Sequence, residues 1–461
     1  MKKNFVNEFQ KIVCISFNNI SNKFSKLDKK IRCNIIIFIF FVNFFQVYLY
    51  NARIFNIHLL YKCIIGSLLL FGLILFLCKN KINKIQWNNK VVILWLFLGL
   101  FQIITSLFIS IEYLPMACIW LVLYPILFQI VENQNDIDVY TLMHKSLLYS
   151  SILFFVASII FVPIHEGNYV GIAGNTNAVG QNMCAALPFF LFFYFFKSKD
   201  FLNFICLVLC ISFIFLASGR TALVTTLFLL VVVSCFYYFS NKSFYHLLKK
   251  MIFLFLSCIL GFNLCVFSST FFEKVSENLN KKNIIEVQKD NQIDNNQHQN
   301  ASDKELIVDN NQQLNGYIKD TIDRIEGSDK NDKSLNSYSS GRLGIWYETV
   351  SNLNILGHGS KEHIVTLRNG DVGNNTHNMF LQFAYDNGII AGFIFVLLSM
   401  YSLKLLLKNI FLNKKDSKLI LILLIHISFF ITSLFTSMSL PFLYSLTFIY
   451  YFTYSKIFTL K

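Results

Sequence analysis

Twelve stretches of this chain are apolar over lengths that suit a bilayer crossing, and no other feature narrows the possible folds so far. They lie at roughly 33–50, 57–78, 91–111, 115–131, 146–164, 178–196, 201–217, 221–239, 251–268, 385–407, 419–437 and 440–455. A hydrocarbon core about 30 Å thick is crossed by about 20 helical residues, because without water each backbone amide must find its partner within its own helix. Composition agrees, with 55% of the 461 residues hydrophobic and only 14% charged. The expectation is an all-α, polytopic integral membrane protein with about 12 transmembrane helices and one large outer loop. Residues 1–32 read as a basic inner tail without a small-residue cleavage site, so the first run is expected to be its own insertion signal. Residues 33–268 then hold helices 1–9, 269–377 the outer loop, and 378–461 an interfacial helix with helices 10–12.

Basic residues orient the chain. The N-terminal tail, the loops after even-numbered runs and the C-terminal end together carry twenty-four lysines and arginines; the opposite short loops offer Arg53, Arg220 and, at a run's edge, Lys62. Positive charge is retained on the cytoplasmic side, so both termini are expected inside. The net charge of +14 is then dispersed over loops, which argues against nucleic acid as a partner. The eleven cysteines form no CxxC pair and no metal spacing, and read as packing residues.

The loop 269–377 has two halves. Its middle, about 280–315, is rich in Asn and Gln and nearly free of aromatics, too polar to offset chain entropy by burial; it is expected to be disordered or loosely helical. From "SSGRLGIWYETVSNLNILGHGS" onward apolar residues return at helical spacing (Leu343, Trp346, Tyr347, Val350), which makes 339–377 the functional half.

Candidate chemistry gathers outside. Of nine histidines, His144 and His246 face inward, His426 is mid-run and His298 lies in the polar tract, leaving His58, His165, His358, His363 and His377. His377 and Asn378 stand where a polar segment meets "MFLQFAY", which Asp386, Asn387 and Gly388 interrupt before the next long run; this places an imidazole at headgroup depth. The chain has 34 Lys against 6 Arg, yet Arg53, Arg220, Arg324, Arg342 and Arg368 fall outside and only Arg32 inside. A planar guanidinium matches phosphate oxygens better than an ammonium does. Arg220, in the tight turn "LASGRTAL", is pinned at bilayer-surface height and needs an anionic partner there, or else snorkels. "EGNYVGIAGNTNAVGQN", residues 166–182, offers a bent backbone and the amides of Asn175 and Asn177 to sugar hydroxyls or phosphate, although plain turn chemistry explains the same residues. "DID" at Asp136 and Asp138 matches the metal-holding Asp-x-Asp of nucleotide-sugar transferases, but it is a three-residue match in an inner loop and reads as a solvated turn.

The Gly-Asn-x-Asn element before a span, the Ser-x-Arg turn after the seventh, and the series "RLGIW…ILGHG…HN…GIIAG" around a long outer loop resemble the O-antigen ligase and polymerase superfamily of bacterial inner-membrane glycosyltransferases. The resemblance covers most of 150–400; Thr176 stands where the family often has Pro. It implies a periplasmic active site that moves a glycan from undecaprenyl diphosphate to an acceptor hydroxyl, a lipid A–core hydroxyl for a ligase. Arg220 and Arg342 would bind and stabilise the departing diphosphate, and His377 would take the acceptor's proton. Asn175, Asn177, Asn378, Gly357 and Gly359 would contact substrate. With two cations in place of a divalent ion, no metal or cofactor is expected, and attack opposite the diphosphate would invert the anomeric centre. A polymerase, a protein O-oligosaccharyltransferase and a lipid-linked glycan transporter remain alternatives; a transporter would be expected to show internal repeats and more ionisable groups mid-membrane.

Overall fold

The computed structural model describes residues 6–13, 27–51, 59–77, 86–111, 114–133, 136–164, 169–197, 200–291, 342–359, 365–366, 372–373, 375–412, 416–438 and 444–461. Each expected apolar run is matched by a helix: α1 (Lys29–Asn51), α2 (Leu59–Leu77), α3 (Asn89–Phe108), α4 (Leu114–Asn133), α5 (Val139–Phe161), α6 (Thr176–Lys197), α7 (Phe201–Ala217), α8 (Arg220–Asn241) and α9 (Phe244–Asn291). After the outer loop's own α10 (Arg342–Ser351) and a two-residue antiparallel ladder of β1 (Val365–Thr366) with β2 (Val372–Gly373) come α11 (Met379–Asn387), α12 (Ile389–Leu412), α13 (Ser417–Phe435) and α14 (Ser445–Ile457). Among the described residues nine helices are long and apolar enough to cross a bilayer, while Cys63–Leu77 of α2 and all of α7 are apolar but shorter. The chain is an all-α, multi-pass membrane protein.

Helix α6 is the axis, packed by α5, α7, α8, α13 and α14. Its most apolar window is 83% buried, against 22% for α9, which lies at the rim. Irregularities in α6 are answered by its neighbours, as a water-free environment demands. Pro188 has no N–H to give the carbonyl four residues back, and Ser428 Oγ of α13 donates to that Cys184 carbonyl at 2.7 Å. The widened turn Phe193–Lys197 leaves the Tyr194 and Phe195 carbonyls to Lys250 Nζ of α9, at 3.0 and 3.2 Å. Trp95 of α3 and Trp120 of α4 stack with centroids 3.8 Å apart, and each indole N–H donates to the other's carbonyl at 3.0 Å.

The largest departure from expectation is α9, which continues to Asn291 rather than ending near residue 268. From Phe262 to Asn291 the sequence has neither Gly nor Pro, so nothing stops the helix. The remainder of the polar tract, from residue 292, lies outside the described residues.

The lysine-rich ends of the helices meet. Asn88 Nδ2 donates to the Leu460 carbonyl at 2.8 Å, Asn409 Nδ2 to the Lys461 carbonyl at 3.1 Å, and Lys418 pairs with Asp138 at 3.3 Å. The "DID" turn is thereby engaged: Asp138 also accepts the Thr141 hydroxyl at 3.0 Å. Arg32 belongs to the scaffold, buried with Nε donating at 3.0 Å to the Phe76 carbonyl in the last turn of α2.

Candidate active site

Three helices begin at the opposite end of the bundle, and each brings a candidate residue to its start. Helix α7 stops because Ser218 turns left-handed, with φ 51° and its N–H donating to the Phe215 carbonyl at 3.0 Å. Gly219 is extended and caps α8, so Arg220 is that helix's first residue. Arg342 is likewise the first residue of α10. A helix start is the positive end of the helix dipole, so each arginine adds a full charge where an anion is already favoured.

His377 is held by its neighbours. It occupies a left-handed conformation, φ 48°, and its N–H donates to Asn375 Oδ1 at 2.9 Å. The next residue, Asn378, caps α11 by accepting from the N–H groups of Phe380 and Leu381, both at 3.0 Å. Its Nδ2 reaches the Leu434 carbonyl at the end of α13, at 3.1 Å. On the other flank Thr376 Oγ1 donates to the Asn378 carbonyl at 2.7 Å, while the Thr376 N–H donates to Gln382 Oε1 at 3.1 Å. The Trp346 indole N–H then donates to the Thr376 carbonyl at 2.9 Å, tying α10 to the histidine segment.

Arg342 senses Arg220, and His377 senses Arg342, across long sequence separations. Burial lowers the Arg342 pKa below its ordinary value, and the charge of Arg220 lowers it further. Burial also lowers the His377 pKa, and the neighbouring charge of Arg342 adds to that. Gathering two guanidiniums costs free energy that a doubly charged anion between them would return. The imidazole beside them is biased toward its neutral, proton-accepting form. The arrangement suits an anionic leaving group next to a base.

The remaining candidates divide. Asn175 caps α6, accepting the Asn177 N–H at 2.7 Å. Asn177, with Gln181, Cys184, Thr221, Ala222 and Thr432, lines a small pocket of mixed polarity beside the Arg220 turn. Gly357 and Gly359 form a clasp: the Gly359 N–H donates to the Asp386 carbonyl at 3.0 Å, and the Ile389 N–H to the Asn354 carbonyl at 2.9 Å. A Cβ on Gly357 (φ 80°) would come within 2.3 Å of the Asp386 carbonyl oxygen, and one on Gly388 (φ 95°) within 2.0 Å of that of Ile355. Close backbone approach requires glycine at 357 and 388, whereas a Cβ on Gly359 would meet the Ser110 and Ile109 side chains. His358 stacks on Tyr385, centroids 3.9 Å apart, and belongs to the same clasp. His426 is enclosed in the bundle, 2.9 Å from Thr453 Oγ1. His58, His165, His298, His363, Arg53, Arg324 and Arg368 lie outside the described residues. In the sequence Trp346 reads only as an apolar position at helical spacing, one turn after Arg342, and nothing there marks Thr376 or Gln382.

A helical membrane protein with arginines starting two helices at one bundle end, and a neutral-biased histidine beside one of them, is equipped to handle an anion there. Residues 205–396, which include all three, match the family model described as O-antigen ligase, and the match supports the O-antigen ligase superfamily. Members of that superfamily are glycosyltransferase-like ligases and polymerases. Neither a curated protein nor a solved structure matches the chain.

Proposed function

We propose that the protein is a glycosyltransferase of the bacterial inner membrane that moves a glycan from undecaprenyl diphosphate to an acceptor hydroxyl on the periplasmic face, with the lipid A–core as acceptor. The observation that supports this reading is that Arg220, Arg342 and His377 stand at or beside helix starts at one end of the bundle, with Arg342 close enough in charge to act on His377 and to feel Arg220. The carrier's diphosphate lies between the two guanidiniums. His377 takes the proton from the acceptor hydroxyl as its oxygen forms a bond to the anomeric carbon. The bond from that carbon to the diphosphate oxygen breaks, and its electron pair leaves with the diphosphate, whose growing charge the arginines meet. Attack from the face opposite the leaving group inverts the centre. The charge on the leaving group is met by side chains, so the reaction proceeds without a metal or cofactor.

A polymerase of the same superfamily would use the same three residues on a different acceptor. The lipopolysaccharide gel of a deletion strain separates the readings. Bare core with accumulated lipid-linked polymer means ligase; core carrying a single repeat unit means polymerase. An unchanged ladder, with purified protein unable to transfer glycan from undecaprenyl diphosphate, overturns both.

A further inference from the structure

Helix α10 is inside out for a helix in water. Ile345 and Thr349 face the protein, 8% and 0% exposed, with Arg342 and Glu348 half-buried. The outward stripe is apolar: Leu343 is 40%, Tyr347 61% and Val350 54% exposed, at four- and three-residue spacing. The stripe continues into Ile355, 64% exposed, and Leu356, 43% exposed. A helix facing water would carry polar residues there, so something apolar covers this face.

The contacts of α10 name the cover. At mid-helix Trp346 is bonded to the Thr376 carbonyl, two residues from Asn378, which is bonded to the last turn of α13. Just beyond its C-terminus the Asn354 carbonyl accepts the Ile389 N–H at the start of α12. The Leu356 carbonyl accepts the Thr105 hydroxyl in the last turn of α3, at 2.8 Å. Helices α3, α12 and α13 are all of bilayer-crossing length, so α10 is tied at two points to the rim where those helices end. A ten-residue helix, about 15 Å long, held at mid-length and just past its end lies along that rim and does not stand off it. The lipid-facing surfaces beside it reach the same rim, with Phe393 63% exposed on α12 and Phe108 73% exposed at the end of α3.

We infer that the outward stripe of α10, with Ile355 and Leu356, is seated in the lipid leaflet at this end of the bundle, as an interfacial helix continuous with the lipid-facing surface of α12. Such helices bury their apolar face at the boundary of headgroups and acyl chains. The seating fixes Arg342, on the same helix, at phosphate depth. A carrier diphosphate would therefore meet the arginine without leaving the surface. The inference rests on the membrane reading of the bundle and not on the transferase chemistry, so its failure would leave the proposed function standing.

Photo-crosslinking in lipid nanodiscs tests it. The full-length protein carries p-benzoylphenylalanine at position 347, 350 or 355, one per variant, with position 393 as the lipid-facing control and 352 as the aqueous one. Mass spectrometry after irradiation identifies the adducts. Lipid adducts at 347, 350 and 355 at yields comparable with 393, and near background at 352, are expected. Adducts to residues 292–341 of the chain or to a second copy would overturn the inference, because protein would then be the cover. Yields at all three positions no higher than at 352 would also overturn it, because the face would then be wet. Three separate exposed positions keep the result decisive if one variant fails to insert.

Discussion

Lysine in place of Arg220 is the most discriminating single substitution, because the first position of α8 keeps its positive charge and loses only the two-pronged donor. Arg220→Lys should weaken donor binding and transfer together, by a few kcal/mol or about a hundredfold or more in rate. Purified protein in detergent, with binding and transfer measured separately, checks this; wild-type transfer rate would remove Arg220 from the site. His377→Ala should bind donor and leave it unreacted, since a base acts only on the acceptor's proton. The lowered His377 pKa fixes a sign. Neutral imidazole persists below the ordinary value of about 6.5, so the acid limb of kcat/KM should lie below that pH. Arg342→Gln removes the second cause of the shift and leaves burial, so the limb should move up without passing the ordinary value. Bound diphosphate opposes the arginine charges, so in wild type the limb of kcat should lie above that of kcat/KM. A limb unmoved by Arg342→Gln would mean that another group titrates.

At the scale of elements, the lie of α10 decides how Arg342 meets His377. Trp346→Phe keeps the ring and deletes the one bond from this side chain to the Thr376 carbonyl. It should lower kcat by about tenfold, the worth of one hydrogen bond of about 1.4 kcal/mol, and leave membrane-inserted protein near normal. A merely structural role would lower protein level and leave the acid limb where it was; a positioning role shifts the limb. The clasp behaves differently. Gly357→Ala adds about 1–2 kcal/mol of backbone strain and a contact with backbone that cannot yield, so inserted protein itself should fall in a protease-resistance assay. This contrast marks what sequence could tell. Arg220, Arg342 and His377 are legible as candidates because each stands out against its surroundings: arginine in a lysine-rich chain, histidine at an apolar helix mouth. The glycines of "ILGHG" look like open loop in sequence, and their clasp with Asp386 and Gly388 depends on two segments meeting in space. The length of α9 was readable in the absence of Gly and Pro, but charge in Glu273 and Lys274 concealed it, since polarity ends a span without ending a helix.

For the whole molecule the twelve apolar runs were legible because bilayer thickness dictates their length, and the helix packing was not, because apolar residues face lipid and protein alike. Exposed Phe253 and Phe255 on α9 read in sequence no differently from buried Phe189 and Phe190 on α6. Charge separates the two ends of the bundle: Lys418 and Lys456 pair with Asp138 and Glu132 at one, while Arg220 and Arg342 start helices at the other. Lysines hold an end inside through the mechanics of insertion, whereas the arginines follow the phosphate they would bind, so the two asymmetries are independent and should agree. Topology reporters read this directly. Alkaline phosphatase fused within 280–315 or at the Ser218–Gly219 turn should be active, and a fluorescent protein that matures only in the cytoplasm should be bright at either terminus. Because α9 continues as helix past its apolar part, which ends at Val275, deleting 288–312 should shorten the end of that helix without touching α10, and transfer should persist at least in part. A bright cytoplasmic reporter within 280–315 would put the arginines on the same side as the lysines. The diphosphate would then have to be met in the cytoplasm, and the transfer proposed at the periplasmic face could not occur there.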